Sequence, residues 1–310
     1  MKKLKASHLA KAVLGRAAHP GHLWRAVNLH RTRKRDSRSM EDTQLKLFNE
    51  MIPGDFLHFG FFDKPHVLPE DMALNDIVRA QNRYADLLLK HVTDTASPVL
   101  DVGCGMGGLC KILLERGLTP VALTPDRLQA SYVLGKYPGV HVIHSKFEKI
   151  PENERTRDYG TIITSESLQY LKLDRSLPLL DKMLKPGGKW IACDFFYRES
   201  STEKSCHVWG EFVEKLAATG WKITYQQDIT ENVLPTLKLV HMLATRFGLP
   251  LMHFAFHRFR KKQPGVHHIL QKALLSVEDF AAHGVSHVDA AAFAKKHQYM
   301  LLVMEREKSA

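Results

Sequence analysis

The stretch from Val99 to Cys110 reads Val-Leu-Asp-Val-Gly-Cys-Gly-Met-Gly-Gly-Leu-Cys, and it limits the possible folds more than any other part of the chain. A short apolar strand runs into a turn holding Gly103, Gly105, Gly107 and Gly108, with Asp101 just ahead of it, and a helix follows. Glycine tolerates positive φ and lets a ligand approach the main chain closely. A helix beginning near Gly107 aims its unpaired N–H groups into the crevice in front of it. In open α/β sheets ligands bind outside the carboxyl ends of the strands, which is where such a turn falls. The turn predicts a nucleotide-like cofactor.

Gly103, Gly105 and Gly108 satisfy G-x-G-x-x-G, the dinucleotide pattern. That pattern expects an acid about 20 residues further on to hold ribose hydroxyls. The second strand ends around Val121-Ala122-Leu123-Thr124 and carries none. A turn built only for tight packing is the structural alternative.

Helix and strand alternate along the rest of the chain, as a doubly wound sheet requires. Helices are expected over 77–91, 108–116, 125–136 (with Thr124 as its cap), 177–184, 208–218 and 288–297. Strands are expected over 99–102, 120–123, 140–144, 161–164, 189–193, 222–226 and 299–304, with Pro186-Gly187-Gly188 as the break before the fifth. Residues 229–285 interrupt the alternation with Phe247, Phe254, Phe256, Phe259 and a basic run. They are read as a helical lid inserted between strands six and seven, shaping an apolar acceptor pocket above the cofactor; packing of the insertion on itself is the alternative. The expected divisions are a basic N-terminal arm (1–40), an N-terminal helical cap (41–98), a cofactor-binding core (99–228), the lid (229–285) and a closing helix and strand (286–310).

The net charge of +11 is concentrated at one end. Residues 1–40 carry eleven Lys/Arg against the acid Asp36, and the rest of the chain is close to neutral. The arm suits an anionic membrane surface, nucleic acid, a transit signal or a solvated tail. A near-neutral body disfavours a nucleic-acid substrate. No C-x-x-C pair occurs among Cys104, Cys110, Cys193 and Cys206, as expected for buried thiols in a reducing compartment. His283 and His287 lie four apart and His267-His268 are adjacent, but no third ligand has metal spacing, so no metal is expected.

The Asp-Val-Gly-Cys-Gly-Met-Gly-Gly form, with an acid before the first glycine, resembles motif I of the class I S-adenosylmethionine (SAM) methyltransferases. Over residues 55–305 the pattern is similar to the tocopherol and sterol C-methyltransferases and, more distantly, the cyclopropane and mycolic-acid synthases. His58-Phe59-Gly60-Phe61-Phe62 resembles their His-x-Gly-Tyr-aromatic segment, and Ala80-Gln81 with Arg83 the helix after it. Leu123-Thr124-Pro125 with Gln129 resembles the Thr-Leu-Ser…Gln segment of the fatty-acid enzymes, and Ser165-Glu166-Ser167 the Met-Glu-Ser segment after strand four. Leu184-Lys185-Pro186-Gly187-Gly188 resembles the loop before strand five, and Asp228-Ile229-Thr230 with Val233 and Pro235 the start of the lid.

The resemblance implies a seven-stranded, doubly wound, Rossmann-like α/β methyltransferase sheet with SAM as cofactor. The implied cofactor residues are Gln81, Asp101, Gly103, Cys104, Gly105, Gly107, Gly108, Leu123, Thr124, Gln129, Phe147, Glu148 and Ser165. Two departures stand out. Ala122 replaces the usual ribose-binding acid, and Lys146-Phe147-Glu148 replaces the Asp-Ala that addresses adenine, with Phe147 placed to flank the ring. Gln169-Tyr170 replaces the Glu-His of the cyclopropane-forming enzymes, which argues against ring formation.

Methyl transfer from a sulfonium needs alignment and water exclusion more than acid catalysis of the leaving group. An acceptor with a proton to lose needs a base. Glu166, Tyr170 and His58 are the catalytic candidates, with Asp194 as a further carboxylate at the same edge. The expectation is a SAM-dependent methyltransferase for an apolar or amphipathic, lipid-like small molecule. It is placed in the cytoplasm, with the 1–40 arm offering contact to an anionic membrane. The alternatives are N- or O-methylation of a soluble metabolite, and a non-catalytic SAM-binding or membrane-associated protein.

Overall fold

The computed structural model describes residues 19–22, 24–25, 54–156, 158–201 and 205–307. The basic arm therefore lies almost wholly outside the described residues. The chain divides into two compact units, one of Leu45–Leu239 with Ala290–Ala310, the other of Met1–Gln44 with Val240–Asp289.

The larger unit is built on α1 (Leu74–Leu89), β1 (Val99–Val102), α2 (Gly108–Glu115), β2 (Pro120–Thr124), α3 (Arg127–Lys136), β3 (His141–His144) and β4 (Tyr159–Ser165). It continues through α4 (Leu173–Met183), β5 (Leu184–Tyr197), α5 (Trp209–Ala218) and β6 (Trp221–Asp228). After α6 (Thr230–Leu243), which crosses into the smaller unit, come α7 (Leu249–Lys262) and α8 (Pro264–His287). The larger unit closes with α9 (Ala290–Lys296) and β7 (His297–Arg306).

The strand order is β3-β2-β1-β4-β5-β7-β6. Pairs from β3 to β5 are parallel, and β7 runs antiparallel to both β5 and β6. The order reverses at β1, so the crevice between the loops after β1 and β4 is the topological switch point. β1 and β2 are buried along their whole length because helices cover both faces, which is why they read as continuous apolar runs. The main core gathers Trp190, Phe196, Phe212 and Trp221 with aliphatic residues of β1, β4 and α4. Trp190 is fully buried, and its indole N–H donates to Thr164 Oγ1 at 3.0 Å, so its polar atom is satisfied.

Two local expectations are corrected. The cap of α3 is Asp126, not Thr124: its carboxylate accepts the Gln129 N–H at 2.9 Å. Pro186-Gly187-Gly188 does not separate α4 from β5. The strand begins at Leu184 opposite Tyr159, and its register slips before Thr161 meets Lys189, with Gly187 at φ +77°. Ala122 lies within β2 opposite Asp101, so the tip of that strand is Thr124.

In the smaller unit, Thr245 and its neighbours form one π-helical turn over Ala244–Gly248, and then α7 and α8 form a helical hairpin. No residue of α7 or α8 is buried.

Candidate active site

The glycine turn holds its shape through β2. The N–H groups of Gly103 and Cys104 donate to the Leu123 carbonyl at 2.7 and 3.2 Å. Gly103 has φ +81°, and a Cβ there would lie 2.5 Å from Ser167 Cβ. Gly108 opens α2, where a Cβ would lie 2.6 Å from Phe56 Cδ1 and 2.8 Å from the Asp55 carbonyl. These two positions therefore exclude any side chain.

The segment 55–60 lies across this turn and is fastened at several points. Asp55, itself at φ +60°, accepts the hydroxyl of Tyr132 at 2.7 Å, that of Tyr137, and Lys136 Nζ at 2.6 Å. Burial alone would push the Asp55 carboxyl up, but these donors outweigh it and hold it below 3.8. Gln81 on α1 donates to the His58 carbonyl at 2.9 Å, and Gly60 N–H donates to Thr236 Oγ1 at 3.0 Å.

A connected buried polar cluster stands at the carboxyl end of β4. Glu166 has φ +50°, which is uncommon for a residue other than glycine and is held here by surrounding contacts. Its Oε1 accepts Phe59 N–H at 2.8 Å and the Tyr299 hydroxyl at 2.6 Å. Both bonds fall on Oε1, which leaves Oε2 to accept from elsewhere. Tyr299 and Tyr84 hydroxyls are 3.0 Å apart, and Ser165 Oγ donates to Tyr84 at 3.3 Å. Burial pushes the Glu166 carboxyl up to about 7, against the lowering effect of its two donors.

Asp194, one residue past Cys193 on β5, is buried and pushed up to about 8 by burial and by the nearby charge of Glu166. It accepts the Phe195 and Gln169 N–H groups at 2.9 and 3.2 Å. His58 is stacked on Tyr84 with ring centroids 4.2 Å apart, and its Nδ1 donates to the Phe59 carbonyl at 2.7 Å. Burial brings its pKa down to about 4, so the ring is neutral and Nε2 is an acceptor. Nε2 of His58 and Oε1 of Gln81 are both buried with no partner. Two orphaned acceptors beside the glycine turn ask for a donor-rich ligand group.

The remaining predicted residues fall into three groups. Leu123 and Thr124 close the floor at the tip of β2, where the Thr124 hydroxyl donates to Gln129 Oε1 at 2.6 Å. Asp101 and Cys104 are buried beneath the turn, and Cys110 Sγ donates to Asp101 Oδ2 at 3.5 Å. Burial raises the Asp101 carboxyl to about 7 and pushes the Cys104 thiol well above its ordinary value, so the thiol is protonated at neutral pH. Gly105 and Gly107 have φ of +54° and +85°, the latter preceding α2.

The third group comprises Phe147, Glu148 and Tyr170. Phe147 packs into the main core, and Glu148 accepts the Lys172 N–H at 2.9 Å near the start of α4. Tyr170 is 76% exposed, because Leu168 and Leu171 take the inward positions of that turn. Tyr299 and Tyr84 belong to the cluster without carrying a local motif. Tyr84 is marked only by its position three residues after Gln81 on one face of α1. Tyr299 gave only an aromatic hydroxyl at the head of an aliphatic strand. Among the described residues no group of three or more His, Cys, Asp or Glu side chains could hold a metal ion.

Residues 100–192 match the methyltransferase-domain family. An uncharacterized methyltransferase of Alkaliphilus oremlandii is 24% identical over 108 residues, 34% of this chain and 49% of that protein. A sterol 4-C-methyltransferase of Caenorhabditis elegans is 30% identical over 102 residues, 31% of this chain and 30% of that protein. The chain thus spans about half or less of these curated relatives.

Likeness to solved structures is broader. The cyclase SpnF superposes with a TM-score of 0.63 at 18% identity, covering 87% of this chain and 95% of that one. Geranyl diphosphate C-methyltransferase from Streptomyces coelicolor A3(2) gives a TM-score of 0.56 at 16% identity, covering 84% and 92%. The cyclopropane synthase of Mycobacterium tuberculosis gives 0.56 at 16% identity, covering 81% and 90%. At these identities the superpositions establish the fold. The sequence match, which runs from β1 and its glycine turn into β5, adds a methyltransferase domain over residues 100–192 of this chain.

Proposed function

We propose that the protein transfers a methyl group from SAM to an apolar or amphipathic small molecule, with Glu166 as the base that takes up the acceptor's proton. The observation that carries this reading is the enclosed Glu166 carboxyl between Tyr299 and Phe59, beside the glycine turn at the switch point. SAM, when bound, supplies an electrophilic methyl carbon on a sulfonium, whose departure needs no protonation. The glycine turn would face its amino-acid portion, where the orphaned His58 Nε2 and Gln81 Oε1 match an ammonium donor. Thr124 and Gln129 at the tip of β2 would meet the ribose hydroxyls in place of an acid. Gln81 and Asp55 hold segment 55–60 down, which excludes water from the reacting edge.

A base with a pKa near 7 is matched to neutral pH. Glu166 would receive the proton on Oε2 while Tyr299 and Phe59 keep the carboxyl oriented through Oε1. The aromatic side chains Phe59, Phe195, Phe293 and Tyr299 form a mutually packed group next to the carboxyl, which supports an apolar acceptor. Both the sterol methyltransferase and the geranyl diphosphate methyltransferase carry acceptors of that character in their names. The anionic-membrane role of residues 1–40 belongs to the same reading as a means of reaching such acceptors, though those residues are largely outside the described ones.

The test begins with calorimetric titration of the purified protein with S-adenosylhomocysteine beside NAD. Transfer of labelled methyl from SAM is then measured into sterols, isoprenoid diphosphates and fatty acyl lipids, with polar amines as the contrasting panel. Homocysteine-product binding with label in an apolar acceptor supports the proposal. Dinucleotide preference, or label in the polar panel alone, overturns it.

A further inference from the structure

The helical hairpin of α7 and α8 carries two apolar stripes that nothing among the described residues covers. On α7, Leu251 and Phe254 are 65% and 59% exposed, and Arg258, Lys261 and Lys262 continue the same helical face toward the hairpin tip. On α8, Ile269, Val277 and Phe280 recur at helical spacing and are 71%, 47% and 64% exposed. The inward sides are different residues: Phe259 meets the His267 ring with centroids 6.1 Å apart. The hairpin is thus closed on itself by one set of aromatics and presents a second set outward. Contiguous exposed apolar surface of this kind marks an interaction site.

Charge decides what that site fits. Residues 240–287 contain six Lys/Arg against two acids, Glu278 and Asp279. A second copy laid on this face would bring two such clusters together, which like charge opposes. An anionic lipid surface satisfies both features, with the apolar stripe entering the acyl boundary and the basic residues meeting headgroups. The stretch Thr230–Lys262 is long enough and apolar enough to qualify as a membrane span by composition. Its first turns, however, are fixed in the larger unit, where Val233 and Leu237 are buried. A helix so rooted lies on a bilayer rather than through it.

We propose that the α7–α8 hairpin is a membrane-surface docking element that inserts Leu251 and Phe254 into an anionic leaflet, independently of residues 1–40 and of the methyl acceptor. The full-length chain is floated with phosphatidylcholine vesicles, and with the same vesicles containing about one third phosphatidylserine. Two full-length variants are compared, Leu251→Glu with Phe254→Glu, and Arg258→Glu with Lys262→Glu. All four positions are exposed, and binding of S-adenosylhomocysteine serves as the fold control.

The expected result is salt-sensitive binding to the anionic vesicles, weakened about tenfold or more in either variant while homocysteine-product binding is unchanged. An environment-sensitive dye on Phe254→Cys should shift to the blue on anionic vesicles and not on neutral ones. Three results would overturn the proposal: no vesicle binding by the parent chain, undiminished binding in both variants (which assigns it to the basic arm), or a dimer that the Leu251/Phe254 variant converts to monomer.

Discussion

Replacing Glu166 by Gln should stabilise the protein, and only at neutral and alkaline pH. The folded protein holds the Glu166 proton up to a pH of about 7, against an ordinary value of 4.5. Between these two values the folded state binds the proton that the unfolded state has released, so stability falls as pH rises through the window. Each pKa unit is about 1.36 kcal/mol, so wild type forfeits about 3 kcal/mol by pH 8 relative to pH 4. Glu166 is partly exposed as a residue, so this is an upper figure. Gln keeps a carbonyl oxygen for the Phe59 and Tyr299 donors and cannot ionise. It also removes the charge that helps push Asp194 up, an effect of the same sign.

Urea denaturation of both proteins across pH 4 to 8.5 measures the difference directly. The variant's advantage should be near zero at the acid end and grow to about 3 kcal/mol at the alkaline end. Methyl transfer in the same variant should drop by about two orders of magnitude or more, the usual contribution of a positioned base. A stability difference that is flat with pH would refute the reasoning, since it would mean that the carboxyl ionises as freely in the fold as outside it.

Tyr299→Phe removes a donor that lowers the Glu166 pKa, so the midpoint of that stability change, and of the acid limb of activity, should move up by about one unit while activity recovers at high pH. Gly103→Ala places a Cβ against Ser167 at φ +81°, and should cost about 2–4 kcal/mol in denaturation and weaken S-adenosylhomocysteine binding at least tenfold by calorimetry. Asp55→Ala deprives Tyr132, Tyr137 and Lys136 of their shared acceptor and should cost about 2 kcal/mol, mostly through the tyrosines because Lys136 is half exposed. That loss should be present at neutral pH and shrink as pH falls below 3.8, because the Asp55 carboxyl is held below its ordinary value.

The sheet was readable in the sequence wherever burial on both faces made the pattern redundant. Val99–Val102 and the turn after it could be placed residue by residue, because glycines recur where φ is positive. Reading failed where one residue type serves two structural roles. Thr124 and Asp126 are both good helix caps, and only the path of the chain past Pro125 selects Asp126. Tyr170 reads as a site-lining hydroxyl, yet a single 3-10 turn spends its inward positions on Leu168 and Leu171. The Glu166 cluster was half visible. Its carboxylate carries a local motif, whereas its partners Tyr84 and Tyr299 come from positions 81 and 133 residues away from β4 and its end, joined only by the sheet.

Tyr299 reaches the site because β7 is antiparallel. The head of a reversed strand lies at the carboxyl edge of its parallel neighbours, so Tyr299 sits opposite Phe195, one residue beyond Asp194. A parallel last strand would have brought its far end, near Arg306, to that edge instead. The reversal would be of little use if the tyrosine were loosely held, but its backbone is pinned from the start of α6. Its N–H donates to Thr230 Oγ1, and its carbonyl accepts the Ile229 N–H, both at 2.8 Å. Asp228 in turn accepts the Thr230 N–H at 2.8 Å. The hydroxyl that steadies Glu166 is therefore fixed by the same hydrogen bonds that end β6 and begin α6, and loosening that junction should raise the Glu166 pKa without touching the carboxyl itself.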